Sequence, residues 1–328
     1  MTPIHRTRRH ALRALAALPV AGASLAPRAA VAQERVVKFV LPNATGSGVD
    51  AITRAMQPAF AKLVGASVIV ENQPGAGGIV GLQALARAQP DGTTLSVVSN
   101  NVVIFPNIHK TLPFAIPDDF TIVTVCGYTP IVLVVNPKVP AKDSRELVAL
   151  MKSKPDALTY GSSGAGTILH LAAAMYLDET GTQARHVPYK GVGPMVTDLL
   201  GGHVDFVTAA LPSVQQHLKS GALRAIGVGT DRRIAAAPEI PTFVEQGVPK
   251  YVVEAWFAVL GPKGMAPAEV QKVRDAVAAA LATPEVKETM DRQGNVINVL
   301  SIDAAQKFVR TEMVKYAALS KKIGLEAQ

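Results

Sequence analysis

Apolar and polar positions alternate in two rhythms along this chain. Val36–Leu41 ("VVKFVL") is a short, crowded run of β-branched and aromatic residues and predicts a strand. Asp50–Val64 follows, with Ile52, Met56, Phe60 and Leu63 on one helical face. The theme repeats: strand Ser67–Val70, helix Gly78–Ala88, strand Leu95–Val98, then a Pro-rich stretch over Phe105–Pro117. Strands are expected near Ile122–Val125 and Ile131–Val135, joined by a turn at Gly127, Thr129 and Pro130. A helix capped by Ser144 runs to about Ser153.

The second half continues with strand Leu158–Tyr160, helix Thr167–Asp178 and strand Arg185–Pro188. Next come helix Gly193–Leu200, strand Val204–Thr208, helix Pro212–Lys219 and strand Leu223–Val228. Strand Val252–Leu260 precedes three helices at Pro267–Ala282, Pro284–Gln293 and Asp303–Ile323. Alternation of this kind predicts an α/β fold with parallel sheets covered by helices on both faces. In such folds ligands bind beyond the carboxyl ends of the strands, so the loops after strands carry the interest.

The first residues change the charge picture. "HRTRRHALRAL" is basic, Ala14–Leu25 is an uncharged run, and Ala30-Val31-Ala32 offers a small-x-small cleavage site. That order predicts a secretory signal peptide over residues 1–32, removed near Ala32, and an exported protein. Thr7–Arg13 resembles a twin-arginine export signal with Ala11 where Phe is usual; general secretion stays open beside it. The whole chain has net charge +8, but residues 1–32 hold five arginines and no acids. The remaining 296 residues carry 28 basic and 25 acidic groups, net +3, with no Lys/Arg cluster. Nucleic acid is therefore not an expected partner. Cys126 is the only cysteine, so no internal disulfide forms, and it is expected to be buried. A chain of 296 residues exceeds what one core usually supports, so two domains are expected.

Three glycine-rich loops sit between strands and helices: "LPNATGSGVD" (Leu41–Asp50), "NQPGAGGIVG" (Asn72–Gly81) and "YGSSGAGT" (Tyr160–Thr167). Each brings backbone amides to a helix start, where positive potential collects. None completes G-x-G-x-x-G, and none ends in the Gly-Lys-Ser/Thr of a P-loop. Gly161-Ser162-Ser163-Gly164-Ala165 lacks the second glycine of G-x-S-x-G, and His170 lies too near on the same element to orient Ser163 easily. An exported α/β hydrolase using Ser163 remains the rival reading. The seven histidines form no metal motif, so no metal or cofactor is expected. A free carboxylate fits best: it asks for many N–H and O–H donors and no reactive group. Ser162, Ser163 and Thr167 supply hydroxyls, although Thr167 also reads as a simple helix cap.

These segments resemble the Bug-type periplasmic solute-binding proteins of tripartite tricarboxylate transporters. The likeness runs from about Val36 to the end. It is carried by Pro42 eight residues before Asp50, "ENQPGAGG" (Glu71–Gly78), "QPDGTTL" (Gln89–Leu95), and "LPF" with "DDF" within Leu112–Phe120. "YGSSGAGTILHLAA", "VPYKGVGPMVTDLLGGHVDF" (Val187–Phe206), "GALRAIGVGTDRR" and "PTFVEQG" follow in order. The resemblance implies a two-lobed periplasmic-binding-protein fold, a type II-like Venus flytrap with a mainly parallel sheet in each lobe. It implies a monomer that closes on a small organic acid without catalysis and hands it to membrane permease subunits. A ligand sensor for a signalling partner would read the same.

Carried over by position, the resemblance points to Asn43, Ala44, Thr45, Gly46, Ser47 and Asp50 in the first loop. Across the cleft it points to Ser162, Ser163, Gly166 and Thr167, with Asn100, Lys190, Gly191 and Asp205 as wall residues. On its own chemistry Asp50 reads as a helix cap, and Lys190 reads equally as a cleft or a surface residue. Asn43 stands where the family usually has an aromatic residue, and Ser47 where it has a second glycine. Both changes suggest a more polar or hydroxylated acid. The chain is expected to cross between lobes twice, with residues 33–135 plus 255–328 as lobe 1 and 136–254 as lobe 2.

Overall fold

The computed structural model describes residues 35–325; the expected signal segment lies outside them. The chain runs β1 (Val36–Leu41), α1 (Gly48–Val64), β2 (Ser67–Asn72), α2 (Ile79–Ala86), β3 (Thr94–Ser99), α3 (Asn101–Ile108), β4 (Phe120–Val135) and α4 (Ser144–Ser153). It continues with β5 (Thr159–Ser162), α5 (Ile168–Thr180), β6 (Arg185–Pro188), α6 (Val192–Gly201), β7 (Phe206–Ala210), α7 (Leu211–Lys219) and β8 (Arg224–Val228). The last elements are β9 (Glu254–Pro262), α8 (Pro267–Leu281), α9 (Pro284–Arg292), β10 (Val296–Ile297) and α10 (Ile302–Lys322).

These strands form one sheet in the order β2-β1-β3-β9-β4-β7-β5-β6, with β8 and β10 also paired to β4. The flanks are parallel, as the βαβ pattern demands: β1 with β2 and β3, and β5 with β6 and β7. The centre is antiparallel, because β9 runs back against both β3 and β4. The sheet is therefore mixed rather than mainly parallel.

The largest departure from the sequence reading is β4. Instead of two strands and a turn, residues 120–135 form a single strand of 16 residues. From Phe120 to Pro130 it pairs with β9, and from Ile131 to Val135 it pairs with β7 and β8. Gly127 is not a break. β10 approaches so closely there that a Cβ would lie 2.0 Å from Val296 O, and φ is +149°. Register shifts between Ile122 and Thr124 and between Val125 and Gly127 absorb the bends as bulges. Pro130, which has no amide hydrogen, sits where β9 gives way to β8.

Two apolar clusters hold the sheet. One packs α1, α8 and α9 on β1, β3, β4 and β9 through Phe39, Met56, Phe60, Val259, Val277 and Met290. Phe39 and Phe60 meet edge to face at 5.3 Å. The other covers the opposite face and the second half, around Leu133, Tyr176, Phe206, Phe243 and Tyr251. Cys126 is buried, and burial pushes its thiol up to about 12. Among the described residues no helix is long and apolar enough to cross a membrane.

Candidate functional site

The carboxyl ends of β1 and β5 both point toward the place where β4 changes partners. Loop one leaves β1 as a short projection: Ala44, Thr45 and Gly46 are exposed, while Val49 and Asp50 are buried. Asp50 organises it from below. Its Oδ2 accepts the Gly46 amide at 2.9 Å, and its Oδ1 accepts Arg54 Nε at 2.8 Å and Asn72 Nδ2 at 3.0 Å. Asn72 also donates to Asn43 O at 3.0 Å and accepts from Arg54 Nη2 and Thr45 Oγ1. Burial works to raise the Asp50 pKa, but these donors more than offset it, and the carboxyl ends below its ordinary value. Ser47 caps α1, its Oγ accepting the Asp50 amide at 3.3 Å. The Asp50 carboxylate and the Ser47 hydroxyl are thus engaged in shaping the loop, while Ala44 and Thr45 stay exposed and Asn43 is half-buried.

Loop three has the same logic with more hydroxyls. Ser162 ends β5 and is fully buried, its Oγ 2.7 Å from His186 Nε2 and accepting the Gly164 amide at 3.2 Å. Ser163 Oγ donates to Thr167 Oγ1 at 3.1 Å. Thr167 caps α5 by accepting the His170 amide at 3.4 Å, and its Oγ1 donates to Gly164 O at 2.8 Å. Gly166 has φ +73°, and a Cβ there would sit 2.5 Å from Ile108 Cδ1. Gly191 donates its amide to Ser163 O at 3.1 Å, so α6 starts beside α5. Two helix N-termini therefore converge on one strip of serines.

α3 joins the two loops. Phe105 packs against Gly77 and Gly78, and Gly78 leans on Pro42. Asn101 Oδ1 accepts the Ile168 amide at 2.9 Å, at the first turn of α5, and Ile108 covers Gly166. Farther along, Lys322 of α10 pairs with Asp178 of α5 and lies 3.8 Å from Glu179.

The remaining expected residues spread out. Asn100 is completely buried and donates to Glu254 O at 2.8 Å and Tyr316 Oη at 2.9 Å, so it braces the start of β9. Lys190 is exposed beside Gly191. Asp205 lies at the opposite end of β5 from loop three: its Oδ2 accepts from Thr159 N and Oγ1 at 2.7 and 2.9 Å. Parallel pairing of β5 and β7 requires this, because the residue before β7 meets the beginning of β5. Sequence reasoning missed Arg54, Asn72, Asn101 and His186. The Asp50–Arg54 spacing of four was a readable helix pair; the others depend on contacts distant in sequence.

Residues 52–325 match the family described as "Tripartite tricarboxylate transporter family receptor". The chain belongs to that family. Over 292 residues this receptor is 30% identical to BugT of Bordetella pertussis, covering 88% of this chain and 90% of that protein. The solved periplasmic binding protein BugD superposes with TM-score 0.82 at 30% identity, covering 90% of this chain and 99% of its own. Rpa4515 of R. palustris, solved with adipate, gives TM-score 0.84 at 27% identity over 90% of this chain and 99% of its own. MatC from Rhodopseudomonas palustris, solved with malate, gives 0.78 at 27% identity over 87% and 98%. The receptor thus has the two-lobed fold of periplasmic binding proteins.

Proposed function

We propose that this receptor works in the periplasm, captures a small carboxylate between loops one and three, and delivers it to the membrane permease subunits of a tripartite tricarboxylate transporter. The observation that carries the reading is the convergence of the α5 and α6 N-termini on Ser163 and Thr167. We assign the opposite wall to loop one, where Ala44 and Thr45 are exposed and the Gly46 amide is already taken by Asp50. Such a site offers amide and hydroxyl donors to a carboxylate and requires no covalent chemistry. Rpa4515 and MatC, which share the fold, carry adipate and malate.

The lobes meet at β4 and β9. The exchange of partners at Pro130/Ile131 supports a first crossover there, a little ahead of residue 135, and a second at Glu254. The hydrolase reading loses support because Ser163 bonds to Thr167, while the histidine contact belongs to Ser162, which is buried. Asn43 favours a hydroxylated acid over a plain aliphatic one.

Micromolar capture corresponds to about −8 kcal/mol. Six to eight charge-assisted hydrogen bonds at roughly 1.5–3 kcal/mol each reach that after immobilisation and desolvation costs. Calorimetry with malate, succinate and adipate tests the reading. Ser163→Ala with Thr167→Ala is expected to weaken binding at least about tenfold. Malate should bind more tightly than succinate. Undiminished affinity in the double variant would remove loop three from the site, and a preference for succinate would remove the role given to Asn43.

A further inference from the structure

Beneath loop three lies a stack of rings that carboxylate capture does not itself demand. His170 of α5 and His186 of β6 lie face to face, centroids 4.1 Å apart and planes 4° from parallel. Tyr160 of β5 stacks on His186 at 4.9 Å and on Phe206 of β7 at 5.7 Å. Each imidazole holds one part of the loop above it. Gly166 donates its amide hydrogen to His170 Nδ1 at 3.0 Å, and Ser162 Oγ lies 2.7 Å from His186 Nε2. A ring nitrogen that accepts an N–H carries a lone pair, which assigns the His170 proton to Nε2.

We propose that His170 and His186 are positioning residues of the carboxylate loop, fixing as neutral imidazoles the direction of the Gly166 amide and of the Ser162 hydroxyl. The proposal rests on loop three being the ligand site. Gly166 has no side chain to anchor it and sits at positive φ, so its peptide orientation depends on what its amide meets. A proton on His170 Nδ1 would set N–H against N–H and drive that peptide away. A proton on His186 Nε2 would be absorbed differently: Ser162 Oγ would accept that N–H and turn its own hydrogen to Gly164 O, 3.1 Å away, whereas a bare Nε2 would accept the serine hydrogen. His186 therefore decides which way the serine proton points.

The surroundings keep both rings uncharged. Burial pushes His170 down to about 4, with His186 adding to the effect, and burial lowers His186 as well. Among the described residues the titratable groups in ring contact with the pair are Tyr160 from β5 and the two imidazoles themselves from α5 and β6, while Phe206 of β7 lies on the far side of Tyr160. Two cations at this spacing in a low-dielectric setting would repel strongly.

The test uses two replacements in the full chain. His170→Asn keeps an acceptor near the Nδ1 position and cannot charge; His170→Phe keeps the ring and removes the acceptor. Malate and adipate affinities are measured by calorimetry, together with hydrogen exchange at the Gly166 amide. Binding by H170N is expected within about threefold of the parent, with slow exchange. H170F should bind at least about tenfold more weakly, with fast exchange at Gly166. Undiminished affinity or unchanged Gly166 protection in H170F would overturn the proposal. Should H170F fail to fold, imidazole nitrogen spectra of the parent decide: a neutral Nε2–H tautomer at pH 5.5 supports it, and Nδ1–H or imidazolium refutes it. The S163A/T167A pair separates the two readings. If that pair binds normally, loop three is not the site and the proposal falls with it. If the pair is weakened while H170F is not, only the histidine role fails.

Discussion

Asp50 shows how a single side chain can serve a binding loop without touching a ligand. Its carboxylate gathers the Gly46 amide, Arg54 and Asn72, and so fixes the shape of loop one. Asp50→Asn is expected to cost about 2 kcal/mol of stability, one to two charged hydrogen bonds, measured by denaturant unfolding. Because the folded carboxyl titrates below its ordinary value, the stability it contributes is present above the ordinary carboxylate pKa and lost as pH falls through the folded value. His170 also loses stability on acidification, but in a higher window. It titrates near 4 in the fold against 6.5 when unfolded, so protons favour the unfolded chain as pH drops from 6.5 toward 4. A melting profile over that window should be flatter for His170→Asn than for the parent.

At the scale of elements, α3 couples one loop to the other. Asn101→Ala removes the acceptor for the Ile168 amide and is expected to weaken malate binding about fivefold, equivalent to ~1 kcal/mol, by calorimetry. The expectation fails if affinity is unchanged. This helix was not legible in the sequence. Pro106 lies within it, and the stretch Phe105–Pro117 reads only as Pro-rich, with no element assigned. β4 was misread for a related reason: Gly127 and Pro130 usually punctuate, yet here one admits β10 and the other stands at a change of partner. By contrast β1 and β6 fall where their β-rich runs begin and end, and α5 starts at its threonine cap. Periodicity reports local elements well. It is silent about which loop a distant histidine or asparagine will support, since that depends on how the strands are ordered.

For the molecule as a whole, the two proposed lobes touch at both ends of α5, through Asn101 and Ile108 at one end and Lys322 at the other. Ligand capture between them should shorten the particle. Small-angle scattering is expected to show a fall in the radius of gyration when malate is added; an unchanged value in the saturated protein would argue against closure.

The unbroken β4 also has a consequence for anyone who would cut the molecule in two. The proposed second lobe, residues 136–254, does not contain the strand at its own centre. Expressed alone, it would bare the long sides of both β7 and β8 where β4 had lain, and sticky bared edges of that sort recruit one another. Starting the fragment at Pro130 restores the missing filament. The shorter piece should precipitate where the longer one stays dispersed, which would make the strand common property of two bodies that no clean excision can divide.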